Sequence, residues 1–193
     1  MIRLPLYLVL LAALAGERIY ELYLTRRNAR RAFARGAIEV GQRHYRAMTA
    51  FHAAFIASCA IEALHNARTM PPAIMWGALG AEAAAQAIRY WAVATLGERW
   101  NTRVIVMPGA APVTDGPYRF LRHPNYLAVV IEIAAVPLIG GAIVTAIVFS
   151  VLNAILLAVR IRTEERALGA RWAEAFGARP RLIPSLSHGP RAN

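Results

Sequence analysis

Residues 126–161 read YLAVVIEIAAVPLIGGAIVTAIVFSVLNAILLAVRI, and this stretch decides the fold. A membrane-spanning helix needs about 20 mostly apolar residues. The pair Gly140-Gly141 divides the stretch into two candidate spans, residues 126–139 and 142–161. The first is short and contains Pro137, so we expect it to be tilted, kinked or incompletely spanning. The pattern predicts an apolar helical hairpin in a membrane.

Two charged blocks flank this hairpin. Residues 116–126 have the sequence GPYRFLRHPNY, and residues 160–171 have the sequence RIRTEERALGAR. Clustered charge and irregular backbone are costly next to hydrocarbon, so they usually mark a site rather than a linker. We therefore expect the blocks to border one water-accessible pocket at a membrane face.

Composition supports a membrane class of protein. The chain has 193 residues, is 58% hydrophobic and carries a formal net charge of +11. All of its basic residues are arginines, which lie between apolar runs rather than in one stripe. This arrangement indicates membrane topology and argues against nucleic acid as a partner. The single cysteine, Cys59, excludes an intrachain disulfide, and no metal-ligand spacing stands out.

Three further apolar segments precede the hairpin, at residues 4–24, 47–66 and 71–97. The first also imitates a signal peptide, but apolar residues resume after its cleavage-like site and an arginine cluster follows, which favours an uncleaved helix. Five spans with the N-terminus outside place the arginine-rich segments 25–46, 98–122 and 162 onward in the cytoplasm. We predict an all-α integral membrane bundle of about five transmembrane helices, with a C-terminal interfacial helix ending near Phe176.

The bundle is expected to be one domain, in which residues 1–97 supply N-terminal helices and residues 98–193 form the catalytic portion. Several polar residues fall inside the predicted spans. We expect Glu82 and Arg89 to pair through Gln86, because seven residues separate them on one helix face. His52 and His65 are expected to form hydrogen bonds between helices.

The two blocks carry complementary chemistry. Arg122 is an anion-binding cation beside the titratable His123, and Pro124 stands where a helix could begin with its amide donors facing the pocket. Alternatively, Arg119 and Arg122 only bind lipid headgroups or fix topology. Glu164 and Glu165 are adjacent on a helix, so only one of them needs to face the pocket. The alternative is that Glu164 pairs with Arg160 or Arg171 as solvated helix charge.

The motif GPYRFLRHPNY, the apolar hairpin, the sequence RTEERAL at residues 162–168 and the terminal Leu-Ile-Pro together resemble the isoprenylcysteine carboxyl methyltransferase family. The resemblance is strong over residues 114–184 and implies a membrane enzyme that uses S-adenosylmethionine. It also implies that the cofactor-binding residues are Gly116, Tyr118, Arg122, His123, Pro124, Tyr126, Glu164 and Glu165.

Within that resemblance, Arg122, His123 and Glu165 are the expected catalytic residues, with Arg122 assigned to the cofactor carboxylate. A phenolic acceptor would need a base, which His123 or one of the two glutamates could supply. Residues 96–103, LGERWNTR, resemble a bacterial branch associated with O-methylation of long-chain polyketide lipids such as alkylpyrones and alkylresorcinols. Candidate substrate-binding residues are Trp100, Asn101 and Glu132.

The expected function is O-methylation of a carboxylate, or of a phenol or enol, on a lipophilic acceptor that enters from the bilayer of a bacterial inner membrane. Membrane lipids are the other expected partners, and no obligate protein partner is inferred. Other functions stay open: a membrane reductase using NADPH, a non-catalytic lipid-binding protein, and a phospholipid N-methyltransferase.

Overall fold

The computed structural model describes residues 4–65, 68–177 and 179–182. These residues form α1 (Leu4–Ala34), β1 (Ile38–Val40), α2 (Gln42–His65), α3 (Pro72–Leu96), β2 (Val104–Val106), α4 (Pro124–Ile139) and α5 (Ile143–Phe176). The helix α5 is kinked at Gly169, whose backbone is not helical (φ +74°, ψ −167°). Short 3-10 turns occupy Gly97–Arg99 and Gly116–Arg119. The all-α prediction is confirmed, with one small addition that the sequence did not predict: β1 and β2 pair antiparallel, Ile38 opposite Val106 and Val40 opposite Val104.

Four of the five helices follow the predicted apolar segments, and α4 begins at Pro124 as expected. The first helix is different. We expected a loop from Thr25 onward, but α1 continues to Ala34. The polar side chains of Thr25 and Asn28 are buried on this extension. They form hydrogen bonds with the Thr102 hydroxyl and the Trp100 carbonyl, which follow α3 in the chain. Tertiary contacts therefore stabilise helix where the apolar pattern had already ended.

The helix α4 lies at the centre of the molecule, packed between α3 and α5 and reached also by α2. Ile133 and Val136 are fully buried and belong to one core with Tyr7 of α1 and Phe55 of α2. This central position suits a short helix, because its neighbours shield it on nearly all sides. The site described below starts at its N-terminus.

The end of α2, and the connection that follows it, contact the turn between α4 and α5. Gly141 has a φ of +75° and its carbonyl accepts a hydrogen bond from the amide of Arg68 (3.1 Å), so the connection after α2 meets this turn. The carboxylate of Glu62 accepts from the amides of Val144 (3.0 Å) and Thr145 (2.7 Å). These are orphan donors at the start of α5, so Glu62 caps that helix from α2.

Charged side chains in the middle of the bundle bind one another. Arg89 of α3 pairs with Glu132 of α4, and also with Glu21 of α1 at 3.4 Å. Arg18 of α1 pairs with Glu21 at 2.7 Å. Each of these groups is at most 15% exposed, as expected for charges that are compensated within a bundle. We call this set Arg18, Glu21, Arg89 and Glu132 the central ion cluster.

The predicted pairing of Glu82 with Arg89 takes another form. Gln86 donates to Glu82 at 2.6 Å and lies 3.4 Å from Glu132, while Arg89 reaches Glu132 directly. The expectation for the histidines is wrong. Nδ1 of His52 bonds the carbonyl of Met48 and Nδ1 of His65 that of Ile61, each four residues earlier in the same helix.

Within the described residues, two segments are long and apolar enough to cross a membrane, Tyr45–His65 and Ile143–Phe176. The helix α4 is apolar but shorter, and α1 and α3 are interrupted by the central ion cluster. The predicted count of five spans therefore stays a prediction. Large apolar side chains are nevertheless exposed on the outer faces of four helices, for example Val9 (65%), Ile61 (60%), Trp76 (63%) and Ile147 (63%).

Candidate active site

The loop before α4 is fixed from beneath by α3. Gly116 has a φ of +54°, where a side chain would be strained, and a methyl group there would overlap the side chain of Thr95. The following 3-10 turn buries Pro117 and Tyr118. Burial raises the pKa of the Tyr118 phenol, and the nearby Glu164 carboxylate raises it further, so this hydroxyl stays protonated. The predicted residues Gly116 and Tyr118 thus shape the floor under the motif.

His123 joins the start of α4 to α5. Its Nε2 atom lies 3.2 Å from Oε1 of Glu165, whose carboxylate accepts the hydrogen bond. Its ring stacks on Tyr126, with centroids 5.2 Å apart, and packs against Trp172 at 5.5 Å. The imidazole is only 5% exposed, and Pro124 beside it is fully buried at the first turn of α4. The structure therefore brings both predicted blocks into direct contact.

The neighbouring glutamate has different partners. The hydroxyl of Tyr126 donates to Oε2 of Glu164, and Nε of Arg160 donates to the same hydroxyl at 3.0 Å. Arg160 is 4% exposed and also donates to the carbonyl of Thr102 at 2.7 Å. Arg160 is thus a buried member of the site, although the sequence had suggested it only as a solvated partner of Glu164. Its position four residues before Glu164 on one helix was the available signal.

The Arg122 side chain forms hydrogen bonds with the backbone that follows α5. Its Nε donates to the carbonyl of Arg179 (2.7 Å) and one terminal nitrogen donates to that of Gly177 (3.0 Å). The other terminal nitrogen lies 3.7 Å from Glu165. Glu165 is also bound by Arg181, in contacts of 2.7 to 3.2 Å, and these hydrogen bonds raise the pKa of Arg181. Arg181 was not predicted, because no periodic pattern links it to α5.

A cavity of about 1100 Å³ adjoins these groups. One end is polar and aromatic, lined by Tyr118, Arg122, His123, Glu164, Arg171 and Trp172. It continues between α1, α2 and α4, where Ile19, Leu22, Met48, Ala53, Ile56 and Val129 line it together with the polar residues Arg18, Glu21, His52 and Arg89. One chamber therefore has a charged, aromatic end and a second end where apolar side chains adjoin Arg18, Glu21 and Arg89 of the central ion cluster.

The two glutamates differ in their relation to this chamber. Glu164 is among the described residues that line it, whereas Glu165 is not and has both oxygens engaged by Arg181 and His123. The side chain of Glu164 is 27% exposed and only its Oε2 atom is bound by Tyr126. Glu164 is therefore the carboxylate that can meet a ligand.

The predicted substrate residues lie in different places. Trp100 and Asn101 line the chamber. Trp100 is 3% exposed and its carbonyl accepts from Asn28, while the Asn101 amide donates to the carbonyl of Thr25. Glu132 is not among the described lining residues, although its partners Arg18, Glu21 and Arg89 in the central ion cluster are. Contact between Glu132 and a substrate stays a prediction without geometric support.

The ribbon of β1 and β2 forms another part of the wall. Ile38, Val40 and residues 104–106 line the chamber. Glu39 binds the Arg103 guanidinium through two hydrogen bonds, one of them 2.7 Å long, and the guanidinium also faces the rings of Phe33 and Tyr45. The connection between α1 and α2 is thereby joined to the connection after α3.

Comparison with known proteins agrees with this geometry. The family model for the isoprenylcysteine carboxyl methyltransferase (ICMT) family matches residues 78–170. The uncharacterized protein YpbQ of Bacillus subtilis is 39% identical over 164 residues, which are 84% of this chain and 96% of that protein. An uncharacterized protein of Haemophilus influenzae is 28% identical over 81% of this chain and 91% of its own.

The chain belongs to the isoprenylcysteine carboxyl methyltransferase family, as the motifs around His123 and Glu164 predicted. This is a family of membrane methyltransferases, so the class of reaction is methyl transfer.

Proposed function

We propose that the protein is an integral membrane O-methyltransferase that transfers the methyl group of S-adenosylmethionine to a lipophilic acceptor. In this proposal all five helices lie in the bilayer of a bacterial inner membrane, with the N-terminus outside and the chamber's polar end facing the cytoplasm. The exposed apolar faces of α1, α2, α3 and α5 support the placement, and the arginine-rich segments support the orientation.

The residues at the polar end suit a zwitterionic cofactor that carries an aromatic base. Glu164 offers a carboxylate oxygen for an amine or a ribose hydroxyl, and Arg122 and Arg171 supply positive charge for a carboxylate. Tyr118, Trp172 and Phe176 supply ring surfaces on the same wall. When bound, S-adenosylmethionine would supply an electrophilic methyl group on a sulfonium sulfur.

The apolar end suits the tail of the acceptor. A tail between α1 and α2 could enter sideways from the bilayer, because the lining side chains there lie on helices whose outer faces are apolar. The acceptor's oxygen would then lie near the junction of the two compartments, beside Asn125, Tyr126 and Trp100. Alignment of the two reactants and exclusion of water would supply most of the rate enhancement.

Proton handling depends on the acceptor. A carboxylate is already ionised, whereas a phenol has a pKa near 10 and must lose its proton. Because Nε2 of His123 donates to the Glu165 carboxylate, Nδ1 is the ring nitrogen left to accept a proton. For a phenolic acceptor, we assign to Nδ1 the role of accepting the phenolic proton.

One observation carries the proposal: His123 and Glu164 line one chamber that continues between α1, α2 and α4 along apolar side chains such as Leu22 and Ile56. The test is retention of S-adenosylmethionine labelled in the methyl group by the purified protein in nanodiscs, with NADPH as the competing cofactor. We expect S-adenosylmethionine to be retained and its label to pass to chloroform-extractable lipid from the expressing cells. Retention of NADPH alone, or of neither cofactor, would contradict the proposal.

A further inference from the structure

We propose that Arg181 is a positioning residue, and that residues 179–182 act as a strap that holds the Arg122-His123 motif against α5. The effect expected on catalysis rests on the proposed function, whereas the mechanical role does not. The strap lies beyond the segment that the family model matches, which ends at residue 170.

The first step is the link from Arg181 to His123. Nε of Arg181 lies 3.0 Å from one oxygen of Glu165, and its terminal nitrogen lies 2.7 Å from the other. The first of these oxygens also accepts from Nε2 of His123. A planar guanidinium that engages both carboxylate oxygens fixes the plane of the carboxylate. The orientation of the imidazole is therefore set from the strap through Glu165.

The second step is the backbone. The amide of Arg122 donates to the carbonyl of Pro180 (3.0 Å), and the amide of His123 donates to that of Arg181 (3.1 Å). The Arg122 side chain binds two more carbonyls, those of Gly177 and Arg179. Four hydrogen bonds thus join two consecutive residues of the motif to carbonyls of residues 177–181.

The third step distinguishes this contact from an ordinary surface ion pair. Such pairs contribute little when both partners are solvated. Here the Arg181 side chain is 58% exposed, but that of Glu165 is 13% exposed and that of His123 is 4% exposed. The ion pair therefore joins an exposed cation to a carboxylate that also binds the buried ring of His123. Loss of this ion pair should therefore change the orientation of the His123 ring more than the free energy of unfolding of the whole protein.

The first experiment is hydrogen–deuterium exchange by mass spectrometry on the purified full chain in nanodiscs, comparing wild type with Arg181→Ala. Peptides covering residues 119–126 are expected to exchange at least about tenfold faster in the variant, because the strap no longer protects the amides of Arg122 and His123. Peptides within α2 are expected to be unchanged. Equal protection of residues 119–126 in both proteins would overturn the strap.

The second experiment tests whether Arg181 acts through Glu165. We expect Arg181→Ala to lower methyl transfer about tenfold and Arg181→Lys to recover part of that loss, since lysine restores the charge but not the planar contact. In a Glu165→Gln background the Arg181→Ala change is expected to have little further effect. Additive losses in the double variant would overturn the positioning role.

Arg166→Ala is the matched control. Arg166 adjoins Glu165 in sequence, but its side chain is exposed, so transfer and exchange should both remain at wild-type values. If the wild-type protein fails to retain S-adenosylmethionine, the proposed function is refuted, and the exchange experiment alone tests the structural role of the strap. If the cofactor is retained and exchange is unchanged by Arg181→Ala, the strap falls and the proposed function stands.

Discussion

Oε1 of Glu165 lies 3.2 Å from Nε2 of His123, whereas its neighbour Glu164 binds the hydroxyl of Tyr126. Adjacent positions on a helix point about 100° apart, which is why two consecutive glutamates serve different partners. Glu165 orients a ring, and Glu164 borders the chamber. The pair thus separates the positioning of the motif from contact with a ligand.

The effect of Glu164→Gln follows from that separation. The change keeps the size of the side chain but removes the charge that faces the chamber, so the affinity for S-adenosylmethionine should fall by about tenfold to one hundredfold. Equilibrium binding of labelled cofactor measures it. Glu174→Gln, at an exposed position of the same helix, serves as control. Unchanged affinity in Glu164→Gln would refute the assignment.

Removing a cation from the central ion cluster should destabilise the protein. Arg89→Met removes one of the two arginines that Glu21 and Glu132 share and leaves them with Arg18, at 2.7 Å and 3.6 Å, so the free energy of unfolding should fall by about 3 kcal/mol. Denaturant unfolding in detergent measures the loss. A second change, Glu132→Gln, should recover part of it, whereas Arg30→Met on an exposed position of α1 should have no effect.

The cap on α5 can be tested at Glu62. Glu62→Ala removes the acceptor for the amides of Val144 and Thr145 and for the Thr145 hydroxyl, which should cost about 1–2 kcal/mol. Glu62→Gln keeps one carbonyl oxygen and is expected to lie between wild type and the alanine variant. An alanine variant as stable as wild type would show that solvent or lipid replaces the cap.

Gly116→Ala tests the floor under the motif. The new methyl group would meet Thr95 while the backbone keeps a positive φ, so we expect a loss of about 1–3 kcal/mol in unfolding free energy. Adding Thr95→Ala should relieve the overlap but not the backbone strain. Gly80→Ala, in a helix with open space around it, should be neutral or slightly stabilising. Thermal unfolding in detergent ranks the three variants.

Local patterns account for what the sequence predicted well. Apolar runs bounded by glycine and proline fixed the helices near Pro72, Pro124 and Gly140, because those residues limit a helix whatever surrounds it. The contact between the blocks of His123 and Glu164 followed from a motif that resembles a known family. The helix boundaries depend on residues close together in sequence, whereas the contact between the two blocks joins positions 42 residues apart and was predicted only through the family resemblance.

Contacts between distant segments account for what was missed. The extension of α1 depends on Thr25 and Asn28 meeting the chain near Trp100, and the ribbon depends on Glu39 meeting Arg103. Neither partner carries a pattern that identifies the other. Arg181 was missed for the same reason. Glu132 was considered a substrate residue because of its depth in the helix, but Arg89 already occupies its carboxylate.

The ion pair between Glu39 and Arg103 has a consequence for protein engineering. Because it joins the connection between α1 and α2 to the wall of the chamber, exchanging residues 78–170 between two homologues would produce a chimera in which Glu39 comes from the recipient and Arg103 from the inserted segment. Such chimeras should have the S-adenosylmethionine affinity of the protein that supplies the inserted segment. Their preference for the methyl acceptor should be that of the protein that supplies α1 and α2.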